Sequence, residues 1–140
     1  MTTTGPQARG RFEELESDEC IELLSAKHVG RVAFCRASGP QVFPVNYVLW
    51  EDSVLFRIAP DTQLARHLAD ARVAFQVDEI DDFLQCGWSV LVVGQAHHIP
   101  DPDGFPANRL ERPEPWASGA RTQFVRIDRE DISGRRVQPM

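Results

Sequence analysis

The 140-residue chain has almost no lysine: Lys27 stands alone among 15 basic residues, the other 14 being arginine. Any anion site must therefore rest on guanidinium groups, backbone N–H groups or hydroxyls. Positive charge is scarce as a whole. Fifteen basic against 21 acidic residues give a net charge of −6, which argues against a protein built to coat nucleic acid or an anionic membrane, because such binding needs clustered excess cation. The longest apolar run, Val90 to Val93, is far too short to span a bilayer, and because Met1 to Gly10 include no apolar stretch the expectation is no secretory signal. Cysteine is sparse and odd in number. Cys20, Cys35 and Cys86 include no pair at the two-residue spacing of a zinc or redox motif, so the expectation is no disulfide scaffold and a reducing, cytoplasmic setting. Neither a G-x-G-x-x-G run nor a P-loop is present.

What is there reads as one globular domain, with 42% hydrophobic and 26% charged residues. Residues 1–11 are polar and aperiodic and read as a mobile tail, leaving 12–140 as the folded unit. Ser17 can cap a helix with Asp18 and Glu19 in its first turn, running to Lys27 or His28. The period then changes from helical to alternating. Val29 to Arg36, Val42 to Leu49 and Val54 to Ile58 read as a three-strand meander, with Pro44 marking an edge or a bulge and Glu51-Asp52 a turn. Gln63 to Ala69 reads as a short helix and Arg72 to Asp78 as a strand. The acidic segment Asp78 to Asp82 reads as a solvated loop, and Trp88 to Ile99 as the longest strand, with a bulge at Gly94. Five prolines between Pro100 and Pro115 punctuate a loop with room for one short helix at Ala107 to Leu110. Phe124 to Ile127 gives a last strand and Gly134 to Val137 a short addition. About six strands with helices inserted irregularly favour a mainly β fold, an antiparallel barrel with peripheral short helices, over a doubly wound parallel sheet.

Few residues offer chemistry outright. Cys86 and Ser89 have the nucleophile's chemistry but no elbow motif, and a structural role fits them better. His97 and His98 are adjacent in a strand, so they point to opposite faces and cannot share one metal. His28 and His67 are isolated. Two segments stand out. Arg57 ends a strand and is followed by Thr62 and a helix start, so guanidinium, hydroxyl and backbone N–H groups could converge on a phosphate. Gly87-Trp88-Ser89 opens a strand with a stacking face and a hydroxyl, suited either to a flat ligand or to plugging a barrel end.

The ordered series Val29-Gly30-Arg31-Val32-Ala33-Phe34, Pro44-Val45-Asn46-Tyr47, Phe56-Arg57 with Thr62, Phe75-Gln76-Val77-Asp78 and Gly87-Trp88-Ser89-Val90-Leu91-Val92-Val93-Gly94 resembles the pyridoxamine 5′-phosphate oxidase-like, flavin-binding split-barrel family, in particular its short actinobacterial members. The likeness extends through Pro115-Trp116-Ala117 and Phe124 to Ile127 to Gly134-Arg135-Arg136. It implies a six-stranded antiparallel split β-barrel that dimerises and holds two flavin mononucleotides (FMN) between its subunits. By position, Pro44, Val45 and Asn46 would lie near the isoalloxazine ring, with Tyr47 as a polar contact. Arg57, Ile58 and Ala59 would line the ring and ribityl chain, while Thr62, Gln63 and Arg66 would approach the phosphate. Trp88 and Ser89 would come from the partner chain. Some relatives use the deazaflavin F420 or bind haem.

The chain departs from this pattern at one place. Relatives commonly carry Gly-Thr-Lys where Asp61-Thr62-Gln63 stands here, so a cation is replaced by an amide and a carboxylate is added. A charge-assisted hydrogen bond contributes roughly 1.5–3 kcal/mol, so its loss weakens binding by about one to two powers of ten unless Arg57 or Arg66 compensates. Two readings follow: an FMN-dependent oxidoreductase acting on a small molecule, with no nucleic-acid or membrane partner, or a non-catalytic barrel that binds or stores flavin, F420 or haem, or has lost the cofactor.

Overall fold

The wall of the fold is written in alternation. In β2 (Val29–Arg36), Gly30, Val32 and Phe34 are buried while Val29, Arg31 and Cys35 face solvent. The same period of two buries Val45 and Tyr47 of β3 (Gly39–Trp50), Val54, Phe56 and Ile58 of β4 (Ser53–Ile58), and Val73, Phe75 and Val77 of β5 (Arg72–Asp81). It continues with Val90, Val92 and Ala96 of β6 (Cys86–Ile99) and with Val125 and Ile127 of β7 (Gln123–Ile127). These side chains form one core cluster with Cys20 and Leu24 of α1 (Ser17–Ser25) and Leu68 of α2 (Gln63–Leu68). The computed structural model describes residues 11–58, 63–68, 70–100 and 123–139, without the side chains of 63–65. The expected helix at Ala107 to Leu110, nearly all of the proline-rich loop and tail residues 1–10 lie outside this range. Among the described residues no helix is long and apolar enough to cross a membrane.

Strands β2 to β7 close into an antiparallel six-stranded barrel in the order β6-β5-β2-β3-β4-β7, with β7 returning to β6. Two more strands lie beside the ring: β8 (Asp131–Gln138) pairs with β6, and β1 (Arg11–Glu14) pairs with β8. The long β6 makes both arrangements possible. One edge pairs with β5 from Cys86 to Gln95, while the other pairs with β8 from Gly87 to Val93 and with β7 from Ala96 to Ile99.

Gly94 sits where β6 exchanges one neighbour for the other. A Cβ there would lie 1.7 Å from the Asp128 carbonyl oxygen. The bulge expected at Gly94 is absent, since its pairing with Val73 continues an unbroken register on both sides. The glycine answers instead to the close approach of the β7–β8 connection. That connection is fastened by polar contacts. The Asp128 N–H donates to the Gln95 carbonyl at 2.9 Å, and the Gln95 N–H donates to Glu130 Oε2 at 2.8 Å. Arg72 Nη1 donates to Glu130 Oε1 at 2.7 Å, and His97 Nε2 lies 2.7 Å from Asp128 Oδ2.

Several sequence expectations need correction. Asp78 to Asp81 is not loop but the end of β5, because pairing with Cys86 to Ser89 holds it extended despite its charge. The acid run hid a strand whose in-facing period has simply left the core. Helix α1 starts at Ser17 itself, with Glu16 as N-cap and no side-chain cap. It stops at Ser25 rather than Lys27 or His28, because the His28 carbonyl is drawn into the sheet by the Tyr47 N–H at 2.9 Å. Arg11, assigned to the tail, opens β1. All four β1 residues are exposed, so no apolar period announces this strand. Pro44 fits an edge position: β3 pairs with β4 only from Tyr47 onward. Glu51 and Asp52, at φ 51° and 63°, make the two-residue β3–β4 turn without a glycine.

Two outcomes follow. Gly94→Ala should destabilise the fold by at least ~2 kcal/mol, because the obstructing atom is backbone and cannot swing aside; urea unfolding beside wild type measures this. The Arg72 guanidinium and the Gln95 N–H hold the Glu130 carboxyl below its ordinary value. Its contribution is therefore present above the ordinary carboxylate range and is lost as pH falls through the lowered folded value. In an NMR titration, Arg72→Gln should move the Glu130 midpoint upward.

Candidate functional site

Alternation divides the sequence-derived site residues between the two sides of the barrel wall. Val45, Tyr47 and Ile58 face the core, whereas Pro44, Asn46 and Arg57 lie on the outer side. Tyr47 offers no hydroxyl to the outer face. Its ring meets Phe75 edge-on at 4.9 Å, and its O–H donates to the Leu24 carbonyl at the end of α1. Burial pushes the phenol's pKa up, so it stays a neutral donor. Gly30 makes this packing possible, since a Cβ there would lie 2.3 Å from Phe75 Cζ. Only the backbone of Val45, Tyr47 and Ile58 remains for an outer ligand.

On the outer side, the Arg57 guanidinium lies over the Phe124 ring of β7, 5.5 Å from its centroid. Arg57 and Asn46 each stand one residue beyond the paired Tyr47 and Phe56, so β3 and β4 bring them to the same end of their ladder. Arg66 is exposed on α2. Gln63 opens α2, but its side chain, like Ala59 and Thr62, lies outside the described residues. The donors brought to this end of the β3–β4 ladder, an amide and a guanidinium, suit an anionic, hydrogen-bonding ligand.

Trp88 and Ser89 occupy opposite faces of β6. Ser89 lies on the outer face opposite Asp78 and Arg135, and Trp88 lies on the core side between Glu79 and Arg136. A single protomer does not unite Ser89 with Asn46. Their strands are three ladder spacings apart, about 14 Å. Trp88 lines an open pocket of about 640 Å³ with Glu79, Asp81, Cys86, Arg136 and Gln138 among its walls. Arg136 is tied to Glu19 at 2.8 Å and Glu13 at 3.3 Å, and Glu79 to Lys27. The Glu19 contact leads in raising the Arg136 pKa. Sequence reasoning missed Glu79 and Arg136 as neighbours of Trp88. Extending the Val73, Phe75, Val77 period by one step would have placed Glu79 on that face, but nothing local signals Arg136.

The outer face carries a second pattern. Val42, Ala33, Ala74 and Val93 are successive cross-strand partners on β3, β2, β5 and β6, and Pro44, Arg31, Gln76 and Leu91 form the next row. Among the described residues seven large apolar side chains are exposed. Five of them, Phe12, Val29, Val42, Ile80 and Leu91, belong to this face by register. The other two, Phe83 and Leu84, form the tip of the β5–β6 hairpin.

Comparison with known proteins agrees with this architecture. Residues 16–136 match the sequence profile of the pyridoxamine 5′-phosphate oxidase family, and the chain belongs to that family. It is 34% identical over 137 residues to the uncharacterized protein Rv0080 of Mycobacterium tuberculosis, covering 94% of this chain and 90% of the relative. The structure of the FAD binding protein from Mycobacterium smegmatis superposes with a TM-score of 0.73 at 32% identity, covering 90% of this chain and 100% of that one. A FAD-binding protein from Mesorhizobium loti gives a TM-score of 0.76 at 29% identity, with 92% and 98% covered.

Because the Tyr47 hydroxyl serves the core, Tyr47→Phe should lower stability by about 1 kcal/mol in thermal or urea unfolding. It should leave ligand affinity at the outer face unchanged within a factor of two.

Proposed function

We propose that this protein is a flavin-dependent oxidoreductase that binds FMN between the subunits of a homodimer and acts on a small molecule in a reducing, cytoplasmic setting. The observation that carries the reading is the whole-length likeness to a FAD binding protein at 32% identity, joined to an outer face whose Asn46 and Arg57 have the donor chemistry a flavin requires. In this reading Pro44, Asn46 and the backbone of Val45 border the ring. Arg57 stands along the ribityl chain, its guanidinium steadied by Phe124. Thr62, Gln63 and Arg66 approach the phosphate. When bound, the flavin supplies reversible hydride or electron transfer, and the protein supplies orientation and a cleft that limits water.

The dimer rests on the outer face. Five exposed apolar side chains on one sheet surface, with the row of small and β-branched residues that ends in Val42 at one end of it, match a surface that a second copy covers. In this reading the same closure would bring the partner's Ser89, which lies on the outer face, to a pocket that one protomer leaves incomplete, whereas Trp88 faces the other side of β6. Gln63 in place of a lysine favours one other reading, a barrel that binds or stores flavin, F420 or haem without turnover, or has lost the cofactor.

Titration with FMN, FAD, F420 and haem, followed by visible absorbance and calorimetry, separates these readings. FMN or FAD binding in the micromolar range supports the flavin assignment, while no binding of either at high micromolar concentration overturns it. Gln63→Lys should tighten FMN by roughly tenfold or more and Arg57→Ala should weaken it by a similar factor. Ala74→Arg, on the outer face, should give a monomer by sedimentation and lose flavin affinity. An intact dimer in that variant would remove the face from the interface.

A further inference from the structure

The β5–β6 hairpin projects past the barrel and ends in the two exposed apolar residues that the outer face does not account for. Phe83 is 92% exposed. The tip is nevertheless a built turn rather than loose chain. Asp81 Oδ1 accepts the Leu84 N–H at 2.8 Å, and Gln85 holds the left-handed conformation at φ 55°. Gly87 lets the two strands approach so closely that a Cβ there would lie 2.3 Å from the Glu79 carbonyl oxygen. A fixed turn thus presents a phenyl ring and a leucine to solvent, flanked by the carboxylates of Asp81 and Asp82. Arg31 shows the complementary deficit. It is exposed between Pro44 and Gln76 on the outer face and makes no ion pair among the described residues. Within one chain it cannot meet the tip, since Gln76 and Asp82 are six residues apart along an extended strand, about 20 Å.

We propose that the β5–β6 hairpin tip is a clasp for a second copy of this chain, with Phe83 and Leu84 packing against the partner and Asp82 meeting its Arg31. The proposal rests on the homodimer reading above and deepens it. A two-fold axis crossing the outer face midway between these groups, at the level of Val29 and Asp78, carries each tip to the other copy's Arg31. The contact is then made twice. It joins the tip to the apolar face through Ile80, which is exposed on the same side of β5. Closing the face over Arg31 requires a counter-charge, because a desolvated guanidinium without one is costly, and the acidic tip provides it.

The test is sedimentation equilibrium of the full chain over a range of protein and salt concentrations. Phe83→Ser with Leu84→Ser alters only exposed positions and should raise the dimer Kd at least tenfold with an unchanged circular dichroism spectrum. Arg31→Glu alone, and Asp82→Lys alone, should each weaken the dimer. Combining the two charge reversals should restore Kd to within about threefold of wild type. A wild-type monomer overturns both the dimer reading and the clasp. A wild-type dimer that is indifferent to the tip substitutions, or whose charge reversals fail to rescue one another, overturns the clasp alone and leaves the dimer standing.

Discussion

The fold depends on one strand having two neighbours along a single edge. β6 can close the barrel through β7 and still carry β8 and β1 only if the chain between β7 and β8 turns sharply across it, and Gly94 is where that crossing occurs. With the Asp128 carbonyl occupying the place of a side chain, no other residue type fits without moving backbone. The two strands added outside the ring hang from this junction. β8 carries Arg136, whose contacts to Glu13 and Glu19 tie β1 and α1 to the sheet, and α1 packs against β8 where Gly134 leaves room for the Cys20 sulfur.

The second organising fact is the two-residue period of the wall, broken in β4 where Ser53 and Leu55 are buried as well, which sorts chemistry from support. Phe75, Tyr47 and Gly30 form an interlocked interior group, and the Tyr47 hydroxyl adds a donor to the Leu24 carbonyl at the helix end, which also accepts the Lys27 N–H at 3.4 Å. Residues one position away, such as Pro44, Asn46 and Arg57, lie on the outer side. A motif such as Pro44-Val45-Asn46-Tyr47 is therefore two interleaved sets. One holds the barrel closed, and the other presents an amide and a rigid edge to whatever lies outside.

Much of this was legible in the chain itself. The alternation of Gly30, Val32 and Phe34, of Val73, Phe75 and Val77, and of Val125 and Ile127 marks strands because each set has one apolar side to bury. The ordered series of short motifs points to the family. Less legible were the elements whose structure comes from pairing alone. β1 has no apolar side at all, and the acidic end of β5 reads as loop until its partner strand is known. Gly94 looks like a bulge in sequence because a strand glycine has two common explanations, and only the position of Asp128 chooses between them.

The amino-acid sequence by itself determined the mainly β class, the core set and the acidic, lysine-poor character, because periodicity and composition are local properties. It also placed Arg57 beside a strand end and Trp88 beside Ser89. Tertiary structure alone decided which of these share a face: that Trp88 and Ser89 look in opposite directions, that Arg57 rests on Phe124, and that Asn46 and Ser89 stand three strands apart. Those relations arise from register between strands distant in the chain, and register is set by the joint fit of all the strands in a closed barrel.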